Sequence, residues 1–383
     1  MRVERWTLRT QTGNRALVEL IRNEIQNRGP QSFAWFMEQA LYHPEHGYYS
    51  SGQCAIGRRG DYFTNVSVGP LFGRLLTAQF AEMWERLGET ESFVIVEQGA
   101  HHGDFARDVL ESAGKYRPDF FTALRYRIVE PFPILQARQS QTLQSFREKV
   151  EWREAIEPFA GVHLSNELLD AMPVDLRDTL VGLDGDDFAF VPKTAAPLAK
   201  PSGVSQPPSE ERPCNQAALD WLDTVSRNLR RGYVLIIDYG FARDEFHESI
   251  QVRAQHRYLD SPFERIGHAD ITMHVDWISI ARRAQANDLD VAGFTDQHHF
   301  LTGIISGAGR SGSPEPPAGD WDQSPLPEIG KSPKMKRELQ TLLHPEMLGR
   351  SFQVLALAKN VDPGELPLTG FKFALEPSSA LDL

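Results

Sequence analysis

Apolar residues recur at helical spacing at Leu17, Leu20, Ile21 and Ile25, which predicts a helix over residues 14–27. Ser32 stands where it would cap a second helix over 33–41, and His43-Pro44-Glu45-His46-Gly47 ends that helix. Gly60-Asp61-Tyr62-Phe63-Thr64 reads as a turn ahead of a third helix over 70–87. From there the period changes. Short apolar runs at 93–97, 126–130, 162–165 and 233–238 predict strands, and the stretches between them, including 133–146 and 216–229, predict helices. Strand and helix in repeated alternation imply a parallel sheet covered on both faces. A last apolar run at 352–358 predicts one more strand of that sheet. Residues 192–213 and 303–333 are rich in Pro, Ser and Gly and read as exposed insertions. The expected class is therefore α/β, with a Rossmann-like core over 91–383, a helical extension over 1–90 and two inserted loops.

Composition narrows the function. With 383 residues, 41% hydrophobic and 24% charged, the chain is long enough for one large domain or two. Its net charge of −12 argues against nucleic acid as the main partner, because phosphate binding needs a basic surface. Cys54 and Cys214 are the only cysteines, so neither a disulfide framework nor a cysteine zinc site is expected. No run approaches the roughly eighteen apolar residues of a membrane span, so no membrane insertion is expected. Glu4, Glu19 and Glu24 lie among the early arginines and fit an amphipathic helix better than an acid-poor transit peptide, which points to a cytoplasmic location.

The chemistry concentrates in Phe93-Val94-Ile95-Val96-Glu97-Gln98-Gly99-Ala100-His101-His102-Gly103-Asp104, a strand, an acidic residue and a glycine turn opening a helix. Ligands of open parallel sheets bind beyond the carboxyl ends of the strands. Gly99 and Gly103 let backbone approach a ligand, since a Cβ there is expected to collide. A dinucleotide fingerprint would need glycine at His101, and Asp104 at the helix start would repel a pyrophosphate. S-adenosyl-L-methionine carries no phosphate and suits the Glu-x-Gly-x-x-x-Gly spacing better than NAD. Glu97 would then accept from the methionyl ammonium or orient the turn. Glu130 ends the next strand and would hold the ribose hydroxyls, with a surface salt bridge as the plainer alternative. It follows Gly99 by 31 residues (130 − 99), against roughly 20 in a minimal unit, and residues 114–121 would absorb the difference. Asn166-Glu167 and Asp170-Ala171-Met172-Pro173 follow the third strand, and Asp238-Tyr239-Gly240 the fourth.

Taken in order, Tyr42-His43-Pro44-Glu45-His46-Gly47-Tyr48-Tyr49, Gly60-Asp61-Tyr62-Phe63-Thr64, Leu71-Phe72-Gly73, Asn166-Glu167-Leu168-Leu169-Asp170-Ala171-Met172-Pro173, Asp238-Tyr239-Gly240 and Asp270-Ile271-Thr272-Met273-His274-Val275-Asp276 resemble the MidA-like methyltransferase family. The resemblance spans residues 33 to about 300. It implies a class I methyltransferase core whose helical extension helps close the cofactor site. It also implies that the Gly60, Asp61 and Thr64 turn touches the cofactor and that Asn166 and Glu167 face the reaction centre. The family's mitochondrial members are regarded as arginine methyltransferases acting on a respiratory complex I subunit, so the resemblance implies a protein acceptor of that kind. Two positions depart from the pattern. His101 stands where the family turn has glycine, and its side chain either points away or narrows the methionine pocket. The arginine-rich stretch 243–257 carries little of the family pattern, which bears on substrate choice.

Methyl transfer from a sulfonium needs alignment more than acid–base help. A guanidinium acceptor also needs carboxylates to hold its charge and take its proton. Glu167 and Asp170 are the candidates for that pair, i and i+3, which a helical turn would place on one face. A helix-start contact is the plainer role for Asp170. Asp238, Tyr239 and His274 are candidates for the acceptor side, with a core or capping role equally open for His274. Asp61 is either a cofactor contact or a turn stabiliser. His43 with His46, and His298 with His299, read as a turn and a non-converging pair, so no metal is expected. Two other functions compete: a non-catalytic assembly protein that kept the fold, and a NAD-linked oxidoreductase.

Overall fold

The protein is described by a computed structural model covering residues 13–52, 54, 64–193, 215–240, 250–307, 332–362, 367–381 and 383. Helices α1 (Arg15–Arg28) and α2 (Phe33–Tyr42) flank a two-residue strand β1 (Gln31–Ser32). Asn14 and Ser32 cap them, the Ser32 hydroxyl accepting from the Trp35 N–H at 3.1 Å as the sequence predicts. Next come α3 (Asn65–Val68), α4 (Leu71–Arg86), β2 (Phe93–Gln98), α5 (Asp104–Tyr116), α6 (Pro118–Ala123), β3 (Leu124–Val129), α7 (Pro133–Thr142), β4 (Val150–Arg153) and β5 (Phe159–Asn166). A hairpin of β6 (Thr179–Asp184) and β7 (Asp187–Pro192) follows, then α8 (Gln216–Asn228), β8 (Leu229–Tyr239), β9 (Gln251–Ala254), β10 (Arg257–Tyr258) and β11 (Asp270–Thr272). The remainder comprises α9 (Trp277–Ala286), β12 (Asp290–Asp296), α10 (Gln297–Gly307), α11 (Pro333–Leu343), β13 (Phe352–Lys359) and a short last helix α12 (Pro377–Leu381), besides single helical turns.

Seven strands form the main sheet in the order β12-β13-β8-β5-β2-β3-β4. From β4 to β8 neighbouring strands are parallel, and β13 runs antiparallel to β8 on one side and β12 on the other. The interior strand β8 is buried from Gly232 through Asp238, the unbroken burial of a strand covered on both faces. Alternate side chains of β2 serve the two faces. Ile95 joins Phe72, Phe80, Phe105 and Phe300 beneath α4, α5 and α10, while Val96 joins Trp221, Val225, Trp277 and Ile280 beneath α8 and α9. A third cluster holds α1 and α2 against the β6–β7 hairpin and the β9–β11 sheet through Leu17, Phe33, Phe36, Val181, Phe188 and Ile271. The chain leaves β2 to build β3 and β4 on one side, then returns to place β5 and β8 on the other. The sheet's switch point therefore lies between β2 and β5.

Several expectations change in detail. The extra length between Gly99 and Glu130 is taken up by α6, a separate helix after α5. The expected insertions are regular at their ends: Pro192 closes β7, residues up to Gly307 belong to α10, and Pro333 opens α11. Their interiors, 194–214 and 308–331, lie outside the described residues. Leu71-Phe72-Gly73 has a packing reason. A Cβ on Gly73 would stand 2.8 Å from the Asp108 Cβ, so only glycine lets α4 close onto α5.

His163 sits in the middle of β5, fully buried against Phe159 and Trp221, with no hydrogen-bond partner for either ring nitrogen among the described residues. Burial pushes its pKa from the ordinary 6.5 down to about 3. Between those values the unfolded chain binds a proton that the folded chain refuses, so stability falls as pH drops through that window and is unaffected above it. At pH 5 the loss is about 2 kcal/mol, at about 1.4 kcal/mol per pH unit. His163→Leu is therefore expected to raise the melting temperature more at pH 5 than at pH 8. Equal shifts at both pH values in a thermal melt would show that the ring does not resist protonation.

Candidate active site

At the switch point a cavity of about 640 Å³ opens beyond the carboxyl ends of β2, β3 and β5. The glycine turn forms its floor. Gly99 has φ +82° and a Cβ there would meet only Leu168, at 3.4 Å. The expected collision is thus not the reason for glycine at 99; the left-handed backbone is. Gly103, at φ +82°, adopts the left-handed conformation as N-cap of α5. His101 also lies at positive φ (+46°), an uncommon conformation for a residue with a Cβ. Its ring lines the cavity, stacks on His102 at 3.7 Å and hydrogen-bonds to the Cys54 backbone. Burial lowers its pKa to about 4, so the ring is neutral at physiological pH.

Carboxylates stand at the strand ends as expected. Glu97 accepts from the Tyr126 hydroxyl at 2.7 Å, and burial raises its pKa to about 7. Glu130, just past β3, accepts from the Phe132 N–H at 3.0 Å and from the Gln139 carboxamide at 3.1 Å. Burial raises its pKa as well. Both line the cavity. Asp104 is paired with Arg107 at 2.7 Å at the start of α5.

A second group gathers where β5 ends. Glu167 has φ +56° and its N–H donates to the Ile237 carbonyl at 2.9 Å. Strained backbone of this kind concentrates at functional sites. One carboxylate oxygen, Oε1, accepts from the Asn65 N–H at 3.1 Å and from the Asn166 side chain at 3.0 Å, and Asn65 in turn reaches Asn166 at 3.2 Å. The other, Oε2, is buried with no partner among the described residues. Burial raises the Glu167 pKa to about 8. Asp170 does not share a helical face with Glu167, because residues 167–170 form a turn and not a helix. Asp238 makes that turn: its Oδ2 accepts from the N–H groups of Leu168 (3.1 Å), Leu169 (2.7 Å) and Asp170 (3.4 Å). The turn still brings Glu167 and Asp170 to one small pocket of about 20 Å³, with Tyr239 and His274 on its other walls. Asp238 itself is fully buried behind the turn and lines neither cavity.

Tyr49 and Glu167 line both the large cavity and the small pocket, which makes them the wall between the two. Tyr49 donates to Asp270 at 2.6 Å, and Tyr42, stacked on it, donates to the Ala171 carbonyl at 3.1 Å. Tyr42, Tyr49, Asn65 and Asp270 were not singled out as site residues from sequence, although all but Asn65 fall within the quoted motifs and Asn65 directly follows one. Thr64 lines the cavity and forms a capping box with Ser67 at the start of α3. Gly60 and Asp61 lie outside the described residues. No metal-binding cluster occurs among the described residues, and no described helix is long and apolar enough to cross a membrane.

The large cavity fits a nucleoside-type cofactor on its own features: a glycine turn at the switch point, and a buried carboxylate after β3 that can receive hydroxyl groups. Comparison with known proteins agrees. Residues 75–295 match the family model described as "Putative S-adenosyl-L-methionine-dependent methyltransferase". The chain is 25% identical over 338 residues to the Drosophila melanogaster "Protein arginine methyltransferase NDUFAF7 homolog, mitochondrial", covering 76% of each chain. To the Bos taurus protein arginine methyltransferase NDUFAF7 it is 26% identical over 412 residues, covering 91% of this chain and 88% of that one. A Burkholderia thailandensis protein crystallised with S-adenosyl-homocysteine superposes with a TM-score of 0.78 at 27% identity, covering 95% of this chain and 96% of that one. The cytoplasmic location expected from sequence is overturned, since these curated relatives are named mitochondrial. That expectation weighed three glutamates against the arginines of the first thirty residues, and so local a charge balance is a weak guide to compartment.

Proposed function

Because the chain belongs to the MidA-like family of S-adenosyl-L-methionine-dependent methyltransferases, we propose that it methylates a guanidinium nitrogen of an arginine in a protein. The observation that carries this reading is the pair Glu167 and Asp170, held by one turn in the pocket that shares a wall with the large cavity. When bound, the cofactor supplies an electrophilic methyl group on a sulfonium. Gly99 brings backbone against it, Gly103 starts α5 behind the turn without lining the cavity, Glu130 receives the ribose hydroxyls, and Glu97 accepts from the methionyl ammonium. Thr64 and Asn166 complete that shell, with Gly60 and Asp61 in the same role. Glu167 and Asp170 orient the acceptor guanidinium between them, with Tyr239 and His274 beside it, while Asp238 fixes the turn that carries both acids.

With that cofactor held, the two acids would aim the guanidinium nitrogen at its transferable methyl group, and the Glu167 carboxylate would take the proton released from that nitrogen. Aligning the two reactants is the larger part of the acceleration, because a bound pair in near-attack geometry no longer loses translational freedom. The names of the curated relatives support arginine as the acceptor residue. On the family resemblance we propose a respiratory complex subunit as the protein that bears it. Incubation of the chain with methyl-tritiated cofactor and a mitochondrial protein fraction, followed by acid hydrolysis, is expected to release label as methylarginine. Label recovered only in methyllysine, or only in small molecules, would overturn the reading.

A further inference from the structure

The small acidic pocket contains a cation of its own. Arg253, on β9, lines it with Glu167, Asp170, Tyr239 and Asp270, and stands opposite Asp270 in the strand ladder. Its guanidinium donates to the Gln251 carboxamide oxygen at 2.7 Å and to the Tyr258 hydroxyl at 2.6 Å, and lies 4.7 Å from the centre of the Tyr258 ring. Tyr258 is 67% exposed, so Arg253 is tethered to a surface side chain and not locked into the core. Two other observations mark the pocket as a place for a cationic group. Asp170 is only 6% exposed, yet no hydrogen bond reaches its carboxylate among the described residues. Glu167 Oε2 is buried and unpartnered as well. Buried carboxyl groups at close range keep protons or recruit a positive charge. Arg253 counters part of that charge, and its field opposes the upward shift of the Asp170 pKa.

We propose that Arg253 is the acceptor-selecting residue of this pocket: a resident guanidinium that the incoming acceptor guanidinium must displace. The inference rests on the arginine-acceptor reading above. Two guanidinium groups cannot share the pocket without like-charge repulsion, which opposes entry of the second. Displacement is open to Arg253 because its anchor is at the surface. An acceptor that offers a planar fork of donors can engage both carboxylates at once, which a point charge on a flexible stem does not. Selection thus comes from competition: weak or misshapen cations fail to dislodge the arginine already present.

The test is calorimetric titration of the full chain, saturated with S-adenosyl-homocysteine, with methylguanidine hydrochloride. Arg253→Met keeps most of the stem and removes the charge, and is expected to bind methylguanidine about tenfold more tightly than the wild type. Arg253→Gln should tighten binding in the same direction, and Arg253→Lys, which keeps the charge, should stay within about threefold of the wild type. The S-adenosyl-homocysteine titration that precedes each run reports whether the variant is folded. Unchanged or weaker methylguanidine binding in the folded neutral variants overturns the role of Arg253 and leaves the acceptor reading standing. Absence of methylguanidine binding in the wild type and in every variant overturns both.

Discussion

Glu167→Gln is expected to slow methyl transfer by about 100- to 1000-fold while changing S-adenosyl-homocysteine affinity by less than about threefold. The substitution is close to silent structurally. A glutamine carbonyl oxygen in the Oε1 position keeps both bonds from Asn65 and Asn166, and the amide nitrogen takes the position of Oε2, which has no partner to lose among the described residues. What disappears is the ability to take a proton. That role has a signature in pH. Because burial raises the Glu167 pKa to about 8, the group is protonated and unable to act as base below that value. The rate at saturating cofactor should climb about tenfold per pH unit on the acid side and level off near pH 8, or somewhat lower, since a bound sulfonium favours the carboxylate. A profile flat from pH 6 to 9, or an equal loss of cofactor affinity and rate in the glutamine variant, would remove Glu167 from the proton path.

Gly99→Val is expected to weaken S-adenosyl-homocysteine binding by more than about 100-fold and to lower the melting temperature by a few degrees. The space for a side chain exists, because the nearest atom to a Cβ placed on Gly99 is Leu168 Cδ1 at 3.4 Å. The conformation does not exist for valine: φ +82° is strained for any Cβ and worst for a β-branched residue. Relief of that strain turns the peptide away from the cavity, and the backbone donors that should face the ligand go with it. Calorimetry on a variant shown to be folded by circular dichroism decides the matter; affinity within about threefold of the wild type would take this turn out of the cofactor site.

The parts of the fold with strong local signals are legible in the sequence. The apolar strands β2, β5 and β8 and the capped helices α1 and α2 lie within a few residues of where periodicity places them, and 352–358 does join the same sheet. What escaped has a common physical cause. β12 is an edge strand interrupted at Gly293 by a register shift against β13, so its alternation is broken. The β6–β7 hairpin is only half buried along most of its length, and the short β9–β11 sheet takes its stability from helices far away in sequence. The site follows the same rule. Strand-end acids such as Glu97 and Glu130 could be proposed from their position alone. The bond from Tyr49 to Asp270 joins residues 221 apart, which no local pattern announces. Glu167 and Asp170 were paired for a helical reason that the chain does not use. They meet because Asp238, 68 residues beyond Asp170, gathers the intervening N–H groups into a turn.

The antiparallel strand β13 has a consequence for synthesis. It covers β8 along eight successive residue pairs, from Phe352 opposite Tyr239 to Lys359 opposite Gly232. On the ribosome β8 is complete 120 residues before its partner (359 − 239), an interval of about 6–24 s at roughly 5–20 residues per second. Throughout that time β8, buried from Gly232 through Asp238 in the finished sheet, presents an unpaired edge, the kind of surface that invites pairing with another nascent chain. The segment from Phe352 onward thus acts as a completion step. A chain halted before it would hold most of its helices and every strand of the main sheet but one, and still be prone to aggregate, since β12 pairs only with the missing β13.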